Sequence, residues 1–456
     1  MRNSFVGRAR RVVPSLAVLV FGLLGPTSAI AQTPAPLAPT APAAVASATA
    51  AGLAAAPPTI LRTVDHGRVE RHGDLLLVRT WGTPQQRGHA HGLLMAHEIA
   101  AAVVQEFAAR YGKRPRVLDY ARRSLPRLIE YPEFVQQELD GLWQGLVDSK
   151  VELKLAGLPR AFDQTDLRIV NALDVFGLLG CSGFTVWGEQ VDGGGVLTAR
   201  NFDWPLTGAH LLTNTVLLVQ HEETGRATAS VAWPGYVGTV TGVSSDGVAT
   251  FLHTGSAAIS ILPEPSSWPS ACALRSILRQ GTHGGDAGKV FAFAKEQLEY
   301  TSPPVGYLTH VVLPFVPANG APLGVFETDV KSCVQGVVGK GPFVLTNHFR
   351  TRKDGRDAGA DSEGRERQLG EGLGQCLTTG DKVTSVAEAW DTLHLVDRGG
   401  RGFGTLHSLV FRNEPWCFEL RIAEPGDKGL VPAPVSKRRH ALTRQQVFAD
   451  GELLGK

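Results

Sequence analysis

The chain lacks an excess of either charge. Across 456 residues, 45 Lys and Arg face 43 Asp and Glu, for a formal net charge of +2. A balance so close gives nucleic acid or an anionic surface no electrostatic footing as the main partner. Beyond the first thirty residues no apolar run is long enough to cross a bilayer. No solenoid-type repeat recurs. The G-x-S-x-G elbow, the H-E-x-x-H zinc helix and the G-x-x-x-x-G-K-[ST] phosphate loop are all missing. Nothing in the sequence calls for a metal or an organic cofactor. His89 and His91 in Gly88-His89-Ala90-His91-Gly92 stand two apart, which on a helix sends them to different faces. Cysteine is scarce, with five in all.

The amino terminus has the form of an export signal. Arg2, Arg8, Arg10 and Arg11 precede a mainly apolar stretch over 12–24, and Ala29-Ile30-Ala31 has the small-x-small form of a cleavage site. Arg10-Arg11 lacks the flanks of a twin-arginine signal. Residues 1–31 are therefore expected to be removed, and the protein is expected in the periplasm or secreted. Residues 32–58 are Ala, Pro, Thr and Ser with no charge and no aromatic side chain. Such a stretch cannot bury enough apolar surface to offset its ordering entropy, so it reads as a linker.

Folding should begin near Thr59. Residues 60–81 read as one or two short strands. Leu93, Ala96, Ile99, Ala100, Val103, Val104 and Phe107 recur at helical spacing. Further helical patterns cover 116–148, interrupted by Pro126 and Pro132, and 164–176, ending at Gly177 and Gly180. After Cys181 the period changes to that of strands at 184–187, 196–201, 213–222, 227–233, 237–243 and 248–253. Helices at 271–280, 285–298, 362–374 and 385–394 alternate with strands at 308–314, 322–328, 342–346, 405–412 and 415–422. The Lys437-Arg438-Arg439-His440 patch reads as a solvated segment. One large domain of antiparallel sheets with helices outside them accounts for this order.

Four cysteines (Cys272, Cys333, Cys376 and Cys417) have plain surroundings, and whether they pair or stay as buried thiols is left open. Cys181 differs. Gly180 before it tolerates unusual backbone angles, and Ser182-Gly183 after it are small. A cysteine exposed by cleavage at the start of a strand would carry its own base, because a free α-amino group titrates at about 7.7–8.0. Its thiol would attack the Gly180 carbonyl, water would resolve the thioester, and the same thiol would then accept an acyl group. On its own, Gly-Cys at a strand start is more often a structural thiol. The next strand adds Arg200-Asn201-Phe202-Asp203-Trp204, where alternation puts Arg200 and Phe202 on one face and Asn201 and Asp203 on the other. A guanidinium beside the sulfur would favour thiolate, and a carboxylate could hold the new ammonium.

Gly180-Cys181-Ser182-Gly183-Phe184 followed by Arg200-Asn201-Phe202-Asp203-Trp204 resembles the autoproteolytic acyltransferases related to isopenicillin N acyltransferase. More distantly, it resembles penicillin V acylase and bile salt hydrolase. Other segments fit in order: Gly82 to Gly88 with Gly92, Asp166 with Asn171 to Asp174, Pro234 to Gly238, Ser245-Asp246-Gly247, Leu345 to His348, Asp361-Ser362 with Arg365, and Gly404 to Ser408. The resemblance implies an α+β fold, a four-layer αββα sandwich of two antiparallel sheets preceded by a mostly helical prosegment. It implies a small chain over 59–180 that stays bound to a catalytic chain over 181–456 after autocleavage between Gly180 and Cys181. By resemblance Cys181 is the nucleophile, Arg200 lies beside the sulfur, Asp203 binds the amino terminus and Asn347 donates to the oxyanion. Arg365 supports the site, although Arg367 competes for that alignment. The relatives' second oxyanion residue is replaced here, with His253 and Thr254 nearest to it, and His407 reads as a satisfied strand-end histidine. The expected activity is hydrolysis of a small-molecule acyl amide: an N-acyl amino acid, a peptide or a penicillin-like side chain. Acyl transfer to an amine, or a non-catalytic binding protein on the same scaffold, are the alternatives; a cysteine protease with a histidine base is a third.

Overall fold

Two tight turns convert the first folded stretch into three strands. A computed structural model describes residues 58–176, 180–205, 210–211, 214–255, 264–355, 358–399, 403–427 and 429–448. The expected signal and nearly all of the linker, and Gly177 at the expected helix end, lie outside the described residues. His66 and Gly73 take positive φ and close the turns joining β1 (Thr59–Val64), β2 (Gly67–His72) and β3 (Leu75–Trp81). Expectation fell short here, with one or two strands read where three exist. The middle strand is mostly polar, yet Arg68, Glu70 and His72 are buried because they satisfy one another. Glu70 accepts from Arg68 at 2.5 Å and from Arg79 at 2.9 Å.

Thr83 then caps the helix Pro84–Leu94 with a full capping box: its hydroxyl accepts from Gln86, whose amide reaches back to the Thr83 N–H. That helix crosses the helix Glu133–Asp148 at very close range. A Cβ on Gly88 would lie 2.0 Å from the Glu138 carbonyl oxygen, and one on Gly141 would lie 2.1 Å from that of Gln85. Gly92 and Gly145 repeat the arrangement one turn on, so the two backbones touch along four glycines. The long pattern expected over 116–148 is two helices, Pro115–Leu128 and Glu133–Asp148. Pro132 stands at the N-cap of the second, where its missing N–H costs nothing.

Residues beyond Cys181 complete two sheets. The larger has ten strands in the order β1-β2-β3-β6-β7-β8-β9-β10-β11-β12, with β6 (Val216–His221), β7 (Ala227–Ala232), β8 (Thr241–Ser244), β9 (Ala249–Thr254), β10 (Tyr307–Val312), β11 (Leu323–Thr328) and β12 (Cys333–Gln335). All its neighbours are antiparallel except β3 and β6. The smaller has six, β13-β4-β5-β14-β15-β18, with β4 (Gly180–Trp187), β5 (Val196–Pro205), β13 (Phe343–Leu345), β14 (Phe403–Arg412), β15 (Cys417–Ile422) and β18 (Arg438–Ala441). The last strand corrects the reading of 437–440 as a solvated patch: Arg438 pairs with Asp74, and His440 is buried.

Between the sheets lies an apolar layer of alternating residues, among them Leu217, Phe251, Leu308, Leu345, Leu409 and Leu420. Outside the smaller sheet, Leu369, Leu373, Trp390 and Leu393 from the helices Ala360–Thr378 and Val386–His394 pack on Phe184, Val186, Leu197 and Val410. Outside the larger sheet, the helices Pro84–Leu94, Glu133–Asp148 and Ser270–Gln280 share another core with it. The fold is a four-layer αββα sandwich, as expected. The segment before Cys181 is mostly helical, but it also supplies three strands to the ten-stranded sheet. A buried charge network holds it there: Arg275 donates to Glu138 at 2.5 Å, and Arg87 and Arg279 lie 3.1 and 2.9 Å from Glu222.

Gly141→Ala should lower stability by about 1–3 kcal/mol, because the methyl must displace a helix backbone rather than a side chain. Gly370 lies in an exposed helical position where an added Cβ meets nothing, and Gly370→Ala should be neutral or stabilising by about 0.5–1 kcal/mol. Thermal or urea unfolding of the two variants checks the contrast.

Candidate active site

Cys181 is the second residue of β4 and is fully buried. Its ladder partner on β5 is Phe202, and Gly180 stands opposite Asp203. Alternation along β5 holds as expected. Arg200 and Phe202 point toward the larger sheet, while Asn201 bonds to the Leu393 carbonyl on the helix side and Asp203 approaches the helical residue Arg365.

The Arg200 guanidinium spans the gap between the sheets. It donates to the Cys181 Sγ at 2.9 Å, to the Leu252 carbonyl at 2.5 Å, to the Thr241 hydroxyl at 2.5 Å and to the Val240 carbonyl. Its flat face lies over Phe202, 5.1 Å from the ring centre. The Cys181 thiol also donates to the Leu252 carbonyl at 3.3 Å. Burial pushes the thiol above its ordinary value, and Arg200 pulls the other way without prevailing. Arg200 favours the thiolate, as expected, but desolvation of the buried sulfur outweighs it.

The main chain of Cys181 is gripped from the opposite side. Its N–H donates to Asn347 Oδ1 at 3.0 Å, and its carbonyl accepts from Arg365 Nη1 at 2.7 Å. Arg365 Nη2 also donates to Asn347 Oδ1, at 2.8 Å. Arg367 instead lies exposed beside Glu371. Asp203 Oδ1 accepts from the Thr405 hydroxyl at 2.7 Å, while Oδ2 has no hydrogen-bond donor and lies 3.4 Å from Arg398 and 3.9 Å from Arg365. Burial raises the Asp203 carboxyl, and the two arginines partly restore it.

Asn347 differs from the expected oxyanion donor in this uncut chain. Its Nδ2 donates to the Thr254 carbonyl at 2.8 Å, so both ends of the amide are engaged. Thr254 thus joins the site through its backbone. His253 is buried, has no hydrogen-bond partner on either ring nitrogen and contacts the ring of His310 at 6.3 Å. His407 is the satisfied histidine expected: it pairs with the Thr241 hydroxyl at 2.8 Å and stacks on Phe202. Burial, with Arg200 nearby, drives His407 well below the usual histidine range and His310 to about 3. No histidine is a hydrogen-bond partner of Cys181 among the described residues. Nor do His89 and His91 share a target: the first bonds to Asp148 and the second accepts from the Gly235 N–H. All five cysteines are free thiols.

Three contributors were not singled out as site residues. Ser362 Oγ accepts from the Asn347 N–H at 2.8 Å, and Thr405 and Arg398 serve Asp203. Ser362 and Thr405 lie in segments that carry the family resemblance, which was their only signal. Arg398 had none.

No protein-family profile and no curated protein sequence matches the chain. Solved structures similar to it include an N-acylethanolamine-hydrolyzing acid amidase ortholog from Caenorhabditis elegans, with 13% identity, a TM-score of 0.34 and coverage of 51% of this chain and 92% of that one. Two variants of conjugated bile acid hydrolase from Clostridium perfringens show 10% and 9% identity and TM-scores of 0.36 and 0.35. They cover 58% and 59% of this chain and 96% and 99% of their own. These are similarities of chain trace.

Asn347→Ala removes an acceptor shared by two donors and the donor to Thr254. With buried partners left unpaired, stability should fall by about 2–4 kcal/mol. Thermal unfolding of the variant against the parent chain checks this.

Proposed function

We propose that the protein is an exported N-terminal-nucleophile amide hydrolase that cuts its own Gly180–Cys181 bond and then accepts acyl groups on Cys181. The observation that carries this reading is the convergence on one residue of Arg200 at the sulfur, Asn347 at the nitrogen and Arg365 at the carbonyl.

In the first step the thiol adds to the Gly180 carbonyl. The C–N bond to Cys181 breaks, the thiol proton goes to the departing nitrogen, and a thioester joins Gly180 to Sγ. Water then releases the Gly180 carboxylic acid and restores the thiol. The new α-amine stays within reach of Asn347 Oδ1, and the Asp203 Oδ2 opposite Gly180 lacks a donor, as an ammonium partner would require. With the amine in place the thiol acquires the base that it lacks in the uncut chain. Substrate acylates Sγ, the amine passes the thiol proton to the leaving nitrogen, and water frees the acid.

For Asn347 to stabilise the oxyanion, its Nδ2 must leave the Thr254 carbonyl once the Gly180 end departs; such a donor is typically worth about 3–4 kcal/mol in the transition state. The segment ending at Gly180 remains as a second chain, held by its three strands and its buried ion pairs. Hydrolysis is favoured over transfer because acyl-CoA is a cytoplasmic metabolite and the amino terminus reads as an export signal. The substrate class is an N-acyl amino acid, a peptide or a penicillin-like side chain.

Denaturing electrophoresis of the active protein should show two fragments, the larger beginning Cys-Ser-Gly-Phe by N-terminal sequencing. Cys181→Ala should remain one chain and turn over no chromogenic acyl amide. A single uncut band from active enzyme, or normal cutting in Cys181→Ala, would sink the proposal.

A further inference from the structure

A narrow cavity opens where the aromatic residues next to Cys181 meet the segment before the predicted cut. Phe202, the ladder partner of Cys181, lies 5.9 Å from both Trp204 and Trp233, whose rings are 5.6 Å apart. Trp233 and Tyr236 form one wall, and Phe107, Leu173 and Leu211 contribute much of the rest. Its volume is about 30 Å³. That exceeds what one water needs, so it suits the end of a ligand rather than a whole one.

The lining is almost wholly apolar apart from Glu106 and Arg110. Glu106 is only 6% exposed, and neither carboxyl oxygen has a hydrogen-bond partner among the described residues. Arg110, one helical turn on, is 3.8 Å away, and its Nη2 also lacks a hydrogen bond. The Arg110 guanidinium sits 5.7 Å from the centre of Trp204, whose indole N–H is likewise unpartnered. Burial raises the Glu106 carboxyl to about 7, with Arg110 opposing it. Buried polar groups without hydrogen-bond partners are costly, which marks the place where a polar ligand group would be held. The helix Gln105–Tyr111 that carries both residues is entered through a π-helical turn, Ile99–Val104, a distortion frequent at functional sites.

We propose that this cavity takes the far end of the substrate's acyl group, and that Glu106, with Arg110 beside it, selects acyl groups bearing a neutral hydroxyl or carboxamide there. A hydroxyl would donate to the carboxylate and accept from the guanidinium. An ammonium would be opposed by Arg110, and a carboxylate by Glu106. The inference rests on the reading of Cys181 as acyl acceptor. It also gives the segment ending at Gly180 a part in choosing substrate.

The test compares anilides of 4-hydroxyphenylacetic and 4-methylphenylacetic acid, which differ only in a hydroxyl or a methyl of similar size. Wild type should favour the hydroxyl by about tenfold or more in kcat/KM. Glu106→Leu should abolish or reverse that preference, and Glu106→Gln should keep part of it. Titration of the free acids against tryptophan fluorescence of the wild type gives a reading that needs no turnover, and the hydroxylated acid should bind more tightly. Turnover of both anilides at equal efficiency, unchanged in Glu106→Leu, would overturn the inference and leave the hydrolase standing. Hydroxyl-selective binding, lost in Glu106→Leu but without turnover of any anilide, would support the cavity and overturn the hydrolase.

Discussion

The buried guanidinium of Arg200 is the constraint around which the centre of this molecule is arranged. A cation enclosed between two sheets is tolerated only if hydrogen bonds offset its desolvation and its surroundings accept its charge. Two carbonyls and a hydroxyl of the larger sheet, with the Cys181 sulfur of the smaller one, supply the bonds. These contacts fix the register of one sheet over the other at the sulfur. The histidines nearby, His407, His310 and His253, are all driven toward the neutral form, first by burial and then by the arginine. None of these histidines adds a second cation beside Arg200.

The same burial that makes Arg200 effective holds Cys181 protonated. A nucleophile in this position needs a base, and none of the neutral histidines touches it. The polar partners gather instead around its main chain, where Asn347 and Arg365 hold the nitrogen and carbonyl and Asp203 faces Gly180. Side-chain partners on both the nitrogen and the carbonyl of Cys181 hold the residue in place, and the nitrogen belongs to the peptide unit that would be cut and would release the base. The ten-stranded sheet would then hold the cut product together. Its first three strands precede Cys181, so the two fragments would remain one folded body.

Much of this was legible in the sequence because it depends on period and spacing. The alternation in Arg200-Asn201-Phe202-Asp203 assigns sulfur side and helix side correctly, and the strands and helices after Cys181 fall close to their expected places. What escaped is what depends on contacts distant in sequence. The polar strand Gly67–His72 looks solvated until Arg79 arrives to pair with Glu70, and Arg438 looks solvated until it meets Asp74. Four glycines in two helices show no signal until the helices touch. Thr254 acts through a carbonyl, which no side-chain reading can anticipate. The balance between Arg200 and desolvation at the sulfur could be judged only once Cys181 was seen to be buried.

The central claim is that acyl groups pass through a thioester on the amino-terminal residue of the larger fragment. Acid quenching during turnover of a slow acyl amide, followed by mass spectrometry, tests it directly. The account predicts an acyl adduct on the peptide that begins with Cys181, removable by hydroxylamine, with the α-amine unmodified. An adduct on any other residue, or turnover at full rate with no adduct at Cys181, would contradict it.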